Sequence, residues 1–134
     1  MIVLDASAAI ELIMQRPCGG LIARQLRETD AVWVPDLFFS EVANALWKLT
    51  AFAGLEEKTG SLLLRLTLAL PDHVEDSSEL VESAFQLAGQ LRRPVYDFLY
   101  LRLAETKQAT LVTMDHKLAS TCRDLKVRAY LPST

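Results

Sequence analysis

Cysteine, histidine and long apolar runs are all scarce in this chain of 134 residues. Cys18 and Cys122 stand far apart, in no C-x-x-C pattern, and their spacing implies no partner for either; both read as free thiols. No apolar run approaches the roughly 18 residues that a membrane span requires. The apolar start, Met1 to Leu4, has no basic segment ahead of it and meets Asp5 at once, which argues against a secretion signal and makes the cytoplasm the expected compartment. Low-complexity tracts, internal repeats and linkers are absent too. With 51% of residues apolar, the expectation is one globular domain over residues 1–134, long enough to bury a sizeable core.

Basic residues are outnumbered, 14 against 17 acids, for a net charge of −3, which on its face is wrong for a protein that grips nucleic acid. Four of those acids, Asp5, Glu41, Asp97 and Asp115, are candidates for one site, and without them the balance is 14 against 13. Asp72, Glu75, Asp76, Glu79 and Glu82 are bunched in one segment, leaving Arg and Lys to dominate elsewhere. Net charge therefore neither supports nor excludes a nucleic-acid partner.

What the sequence does have is an organising stretch at its start, MIVLDASAAIELIM. A short apolar run ends in Asp5, and two residues later Ser7 opens a segment with helical periodicity. It reads as a buried strand, a carboxylate at its tip and a helix leading away. Further along, Leu21–Glu28 is helical, Ala31–Val34 is a strand stopped by Pro35, and Asp36 is the expected cap of a long helix over Leu37–Phe52 ending near Gly54. A second apolar helix runs from about Glu56 to Leu70. His73–Asp76 suits a short edge strand, and Ser77 or Ser78 a cap for a helix reaching about Leu91. After a connector, Arg92–Tyr96, come a helix over Asp97–Lys107, a strand over Ala109–Thr113, a helix from Asp115 to about Arg123 and a last strand over Val127–Tyr130. Alternating strands and helices predict an α/β fold with a parallel sheet covered on both faces.

That alternation places Asp5 and Asp115 just past strand carboxyl ends, Glu41 in the first turns of the helix leaving the second strand, and Asp97 at the start of the helix that feeds the Thr110 strand. All four fall on one edge of the sheet, the edge where ligands bind in open parallel sheets. Converging carboxylates are costly without a counter-charge. A hard divalent cation such as Mg2+ or Mn2+ cancels that cost, takes oxygen ligands, activates water and offsets charge on a phosphate. The chemistry indicated is metal-dependent phosphodiester hydrolysis. Structural alternatives stand beside it: Asp97 and Asp115 suit helix-capping or first-turn positions, and Asp5 can cap the turn that follows it. Glu41, flanked by Phe38, Phe39, Val42, Ala43 and Leu46, is the hardest to explain by folding alone, since a buried acid needs a partner.

The segments VLDAS, SEVANAL, YDFLYLRLA and LVTMD together resemble the PIN-domain ribonucleases, and the short length most resembles the VapC toxins of toxin-antitoxin pairs. The resemblance spans essentially the whole chain. It implies a three-layer α/β/α fold and an acidic pocket that holds Mg2+ or Mn2+ and cuts single-stranded or loop RNA. By position it implies that Asp5, Glu41, Asp97 and Asp115 are the catalytic acids and metal ligands, with Ser7 and Thr113 as supporting hydroxyls and Asn44 near metal water or phosphate. His116 departs from what the resemblance covers, and His73 is read as structural.

Among basic residues, Arg92 and Arg93 are the first candidates for RNA phosphate contact because they closely precede Asp97; Arg16, Arg24, Arg27, Lys48 and Arg102 are further ones. The apolar helical pair carries more hydrophobic surface than one core-facing stripe requires, through Phe38, Phe39, Trp47, Phe52, Leu62, Leu63, Leu64 and Leu66. The resemblance makes that excess a homodimer, or higher even oligomer, and a groove for an antitoxin protein. Two other functions suit parts of the sequence: a phosphotransferase or phosphatase using Asp5 as nucleophile, for which Ser7 stands where a second acid is wanted, and a catalytically inactive PIN-like module that binds RNA or protein.

Overall fold

The computed structural model describes residues 1–134. Five short strands form one sheet: β1 (Ile2–Leu4), β2 (Val32–Pro35), β3 (His73–Glu75), β4 (Thr110–Val112) and β5 (Ala129–Tyr130). Every pairing is parallel, in the order β3-β2-β1-β4-β5. Seven helices connect them: α1 (Ala6–Ile13), α2 (Gly19–Glu28), α3 (Leu37–Phe52), α4 (Glu57–Leu68), α5 (Val81–Leu91), α6 (Tyr96–Lys107) and α7 (His116–Asp124). Right-handed crossovers put α1–α4 on one face and α5–α7 on the other. In accord with this, α1 packs against α2, α3 and α4, while α6 packs against α5 and against β1, β2 and β4. The three-layer α/β/α arrangement expected from the sequence is the one observed.

Coverage on both faces explains why β1 is a continuous apolar run: Ile2, Val3 and Leu4 are all buried. They belong to a core of 27 apolar residues that includes Phe38, Phe98, Leu101 and Leu111. The chain leaves β1 toward β2 on one side and later reaches β4 on the other, so the strand order reverses between β1 and β4. Ligands of open α/β sheets bind at such a reversal, outside the strand carboxyl ends.

Local chemistry departs from the sequence expectations in three places. Pro35 closes β2 from within, in register with Glu75, because the ladder bond there is donated by the Asp36 N–H to the Glu75 carbonyl (3.0 Å) and none is asked of the proline. Asp36 does not cap α3 through its side chain; its carboxylate accepts the Ser77 N–H (3.1 Å) and the Ser77 hydroxyl, tying the two strand-to-helix junctions together. Ser77 and Ser78 are not the caps of α5 either. Asp76 accepts the Ser78 N–H (2.9 Å) at a short 3-10 turn, Ser77–Glu79, and α5 begins only at Val81.

α3 and α4 form the expected hairpin, turning at Gly54 with φ +77°. Phe38 is fully buried, but Trp47, Phe52, Leu62 and Leu66 are each at least half exposed, and Trp47 and Phe52 meet edge to face. Between the two helices lies a groove of about 340 Å³ lined by Leu46, Trp47, Thr50, Gly60 and Leu64. No helix is long and apolar enough to cross a membrane.

Candidate active site

Asp5 follows β1 directly and caps α1, its Oδ1 accepting the Ala8 N–H (2.9 Å) and the Ser7 hydroxyl (2.6 Å). Oδ2 accepts the hydroxyl of Thr113, which sits at the end of the neighbouring strand β4. The same two hydroxyls reach onward. Ser7 Oγ accepts the Met114 N–H (3.0 Å), and Thr113 Oγ1 accepts the Asp115 N–H (3.0 Å). Asp115 in turn caps α7 through the Leu118 N–H (3.0 Å). Asp5, Ser7, Thr113 and Asp115 are therefore one hydrogen-bonded unit across the β1–β4 reversal.

Two more acids face this unit from the flanking layers. Glu41, on α3, accepts the Tyr100 hydroxyl (2.6 Å). Tyr100 lies in α6, almost wholly buried, and burial with the Glu41 and Asp5 charges nearby pushes its phenol well above the ordinary range, so it remains a donor. Asp97, in the first turn of α6, faces Arg93 at 3.5 Å.

The electrostatics bind the four acids together. Asp5 is 5% exposed, and burial raises its carboxyl to about 6 despite three hydrogen bonds that favour the charged form; the Asp97 charge adds to the rise. Glu41 is raised first by burial and then by Asp97, against the Tyr100 hydrogen bond. Asp97 is raised by burial and by Asp115, and eased back by Arg93 and Lys117. Cys122, packed behind the site, has its thiol pushed up to about 11, mainly by burial, and is an inert thiol.

The four carboxylates make an all-oxygen set of the kind a hard divalent cation takes, and Asp5, Glu41, Asp97 and Asp115 are the residues that could hold one. As they stand, no three of them gather closely enough to coordinate an ion.

Beside the acids runs a cleft of about 420 Å³ lined by Ser7, Arg16, Glu41, Asn44, Lys48 and Met114. Glu41, Asn44 and Lys48 share one face of α3, and at 1.5 Å rise per residue Lys48 lies about 10 Å along the axis from Glu41. Of the two arginines first expected to meet RNA phosphate, Arg92 is exposed on the turn ending α5, whereas Arg93 is not free for that role. Its guanidinium is engaged by Asp97, by the Thr121 hydroxyl and by the Phe98 ring. His116 is exposed at the start of α7, and His73 stacks on Trp33 with ring centroids 4.5 Å apart, a structural contact. Tyr100 went unnoticed in the sequence; the one available signal was a tyrosine three residues after Asp97, on the same helical face.

A family model described as the PIN domain matches residues 2–124. Ribonuclease VapC12 of Mycobacterium tuberculosis is 34% identical over 119 residues, covering 89% of this chain and 90% of that protein. Ribonuclease VapC3 of Pyrobaculum aerophilum is 33% identical over 122 residues, covering 88% and 92%. Among solved structures, PAE2754 from Pyrobaculum aerophilum superposes with a TM-score of 0.72 at 24% identity, covering 89% of this chain and 84% of that one, a likeness of fold.

Proposed function

The chain belongs to the PIN-domain family, and from that premise we propose that it is a ribonuclease toxin cutting RNA phosphodiester bonds with a Mg2+ or Mn2+ ion held by Asp5, Glu41, Asp97 and Asp115. One observation supports the reading: buried Asp5 is tied through Ser7 and Thr113 to Asp115 at the β1–β4 reversal, with Glu41 and Asp97 close enough from α3 and α6 for their charges to be felt there. The cation, when bound, supplies that charge, activates water and offsets charge on the phosphate.

The chain's own residues do the rest. Ser7 and Thr113 fix the rotamer of Asp5 through both carboxylate oxygens, and Tyr100 does the same for Glu41. Asn44, Lys48 and Arg16 line the cleft beyond the acids, where they hold the RNA strand on either side of the scissile phosphate. The exposed face around Trp47, Phe52, Leu62 and Leu66 supports pairing of two copies and docking of an antitoxin protein, with the cytoplasm as the place where target RNA is met.

The test is cleavage of a mixed single-stranded and structured RNA pool with Mg2+ or Mn2+, with EDTA and an Asp5→Ala/Asp97→Ala protein as controls. Cutting that vanishes in both controls is the expected result. Cutting that persists in the double variant refutes the site; no cutting by the folded, inhibitor-free protein favours a binding module instead.

A further inference from the structure

The connector between α5 and α6 holds a cation in an unusual setting. Arg92 ends α5 with φ 54°, and Arg93 follows it, ahead of Pro94. The Arg93 guanidinium lies 5.2 Å from the centre of the Phe98 ring and donates to the Thr121 hydroxyl on α7. It reaches the Asp97 carboxylate only at 3.5 Å. The side chain of Arg93 is 13% exposed and that of Asp97 43%. The charge is thus anchored on two sides by groups other than its ion-pair partner, while the carboxylate is the wetter and freer member.

The other close arginine pairs of the chain differ. Arg24–Glu28 and Arg102–Glu105 close to 2.8 and 2.9 Å, the usual length of a charge-assisted hydrogen bond. The Arg93–Asp97 contact is longer than either, and Arg93 has Phe98 and Thr121 as partners besides Asp97. Arg93 also joins the two helices that begin with candidate ligands, since Asp97 opens α6 and Asp115 caps α7.

We propose that Arg93 is a positioning residue that stands in for the divalent cation at Asp97, holding that carboxylate in the metal-free protein and yielding it to the ion without leaving Phe98 and Thr121. The proposal rests on the metal-dependent reading above. Its consequence has a definite sign. An ion on the Asp97 carboxylate lies within about 6 Å of the guanidinium, and at that separation a single and a double positive charge repel, even with water-like screening, by an amount worth about tenfold in affinity. Arg93 therefore weakens cation binding while it fixes the ligand. A purely structural strut would do the opposite, since its loss would loosen the site and weaken binding.

The experiment is calorimetric titration of Mn2+ into the full-length wild type, Arg93→Met, Arg93→Gln and Arg93→Lys proteins, with RNA cleavage measured at saturating Mn2+. Met keeps the stem that packs on Phe98, and Gln retains a donor for Thr121, so a folding failure in one leaves the other. The Met and Gln proteins should bind Mn2+ about tenfold more tightly, yet turn over more slowly. The Lys protein, with its charge retained, should bind like wild type and recover part of the turnover. Unchanged or weaker Mn2+ binding in a folded Met or Gln protein overturns the assignment of Arg93 and leaves the ribonuclease reading standing. A wild type that takes up no Mn2+ overturns both.

Discussion

Replacing Asp5 by Asn should stabilise the metal-free protein at neutral pH, although it removes the residue at the centre of the site. A folded-state pKa of about 6, against an ordinary 3.8, means that the native structure holds the charged carboxylate at a cost of about 3 kcal/mol. The unfolded chain gives up this proton near pH 4 and the folded protein near pH 6. Between those values the unfolded state binds fewer protons, so stability falls as pH rises through the window, and the full penalty applies above it. The raised carboxyls of Glu41 and Asp97 act in the same direction. In Asp5→Asn the amide oxygen keeps the bonds from Ala8 and Ser7, while the Thr113 hydroxyl must turn from donor to acceptor, an adjustment costing about 1 kcal/mol. The net gain is about 2 kcal/mol at pH 7.5, or roughly 5–10 °C in Tm for a chain of this size. Urea titrations of both proteins from pH 4 to 8 in EDTA measure it directly. Wild-type stability that does not fall between pH 4.5 and 7, with no gain for Asp5→Asn at pH 7.5, would refute the view of Asp5 as a charge awaiting a cation.

Other perturbations have equally specific outcomes. Tyr100→Phe removes the 2.6 Å bond to Glu41 while keeping the ring in the core, and should cut turnover about tenfold with little change in KM, measured on a defined RNA cleaved by wild type. Equal loss in KM alone would show that Glu41 does not depend on it. Arg16→Ala and Lys48→Ala, tested by RNA binding in the Asp5→Asn background across salt concentrations, should each weaken affinity and flatten the logarithmic salt slope by about 0.7; an unaltered slope removes that residue from the RNA path. Trp47→Glu/Phe52→Glu should convert a dimer to a monomer in light scattering, and a wild type that is monomeric at high concentration contradicts the apolar face as a self-interface.

The parts of this architecture that were legible in the sequence are those set by neighbours along the chain. A wholly apolar run ending in Asp5 marks a strand buried on both faces, and Asp115 two residues beyond Thr113 marks a helix cap; both are where the pattern put them. The parallel sheet followed from alternation alone, but the reversal between β1 and β4 did not, because strand order is decided by which helices cover which face. Tyr100 was illegible for a similar reason: its partner is 59 residues away, and nothing local separates a hydroxyl aimed at Glu41 from one aimed at water. Arg93 shows a different failure. Its spacing of four from Asp97 was visible and fits a helical ion pair, yet an exposed phosphate contact fits the same letters, and only the Phe98 ring and Thr121 decide between them. Asp36 stands at the cap position of α3 as the sequence predicts, but Ser77, 41 residues on, takes its carboxylate.

The hydrogen bond between Asp5 and Thr113 spans 108 residues, nearly the whole chain. In chain order β1 is separated from its neighbour β4, and from Asp115, by β2, β3 and six helices. A fragment that stops before Thr110 carries Asp5, Glu41 and Asp97 but lacks Thr113, Asp115 and the strand that pairs with β1 along one edge. Removal of either β1 or β4 takes away one of the two strands whose ends carry the Asp5–Thr113 hydrogen bond.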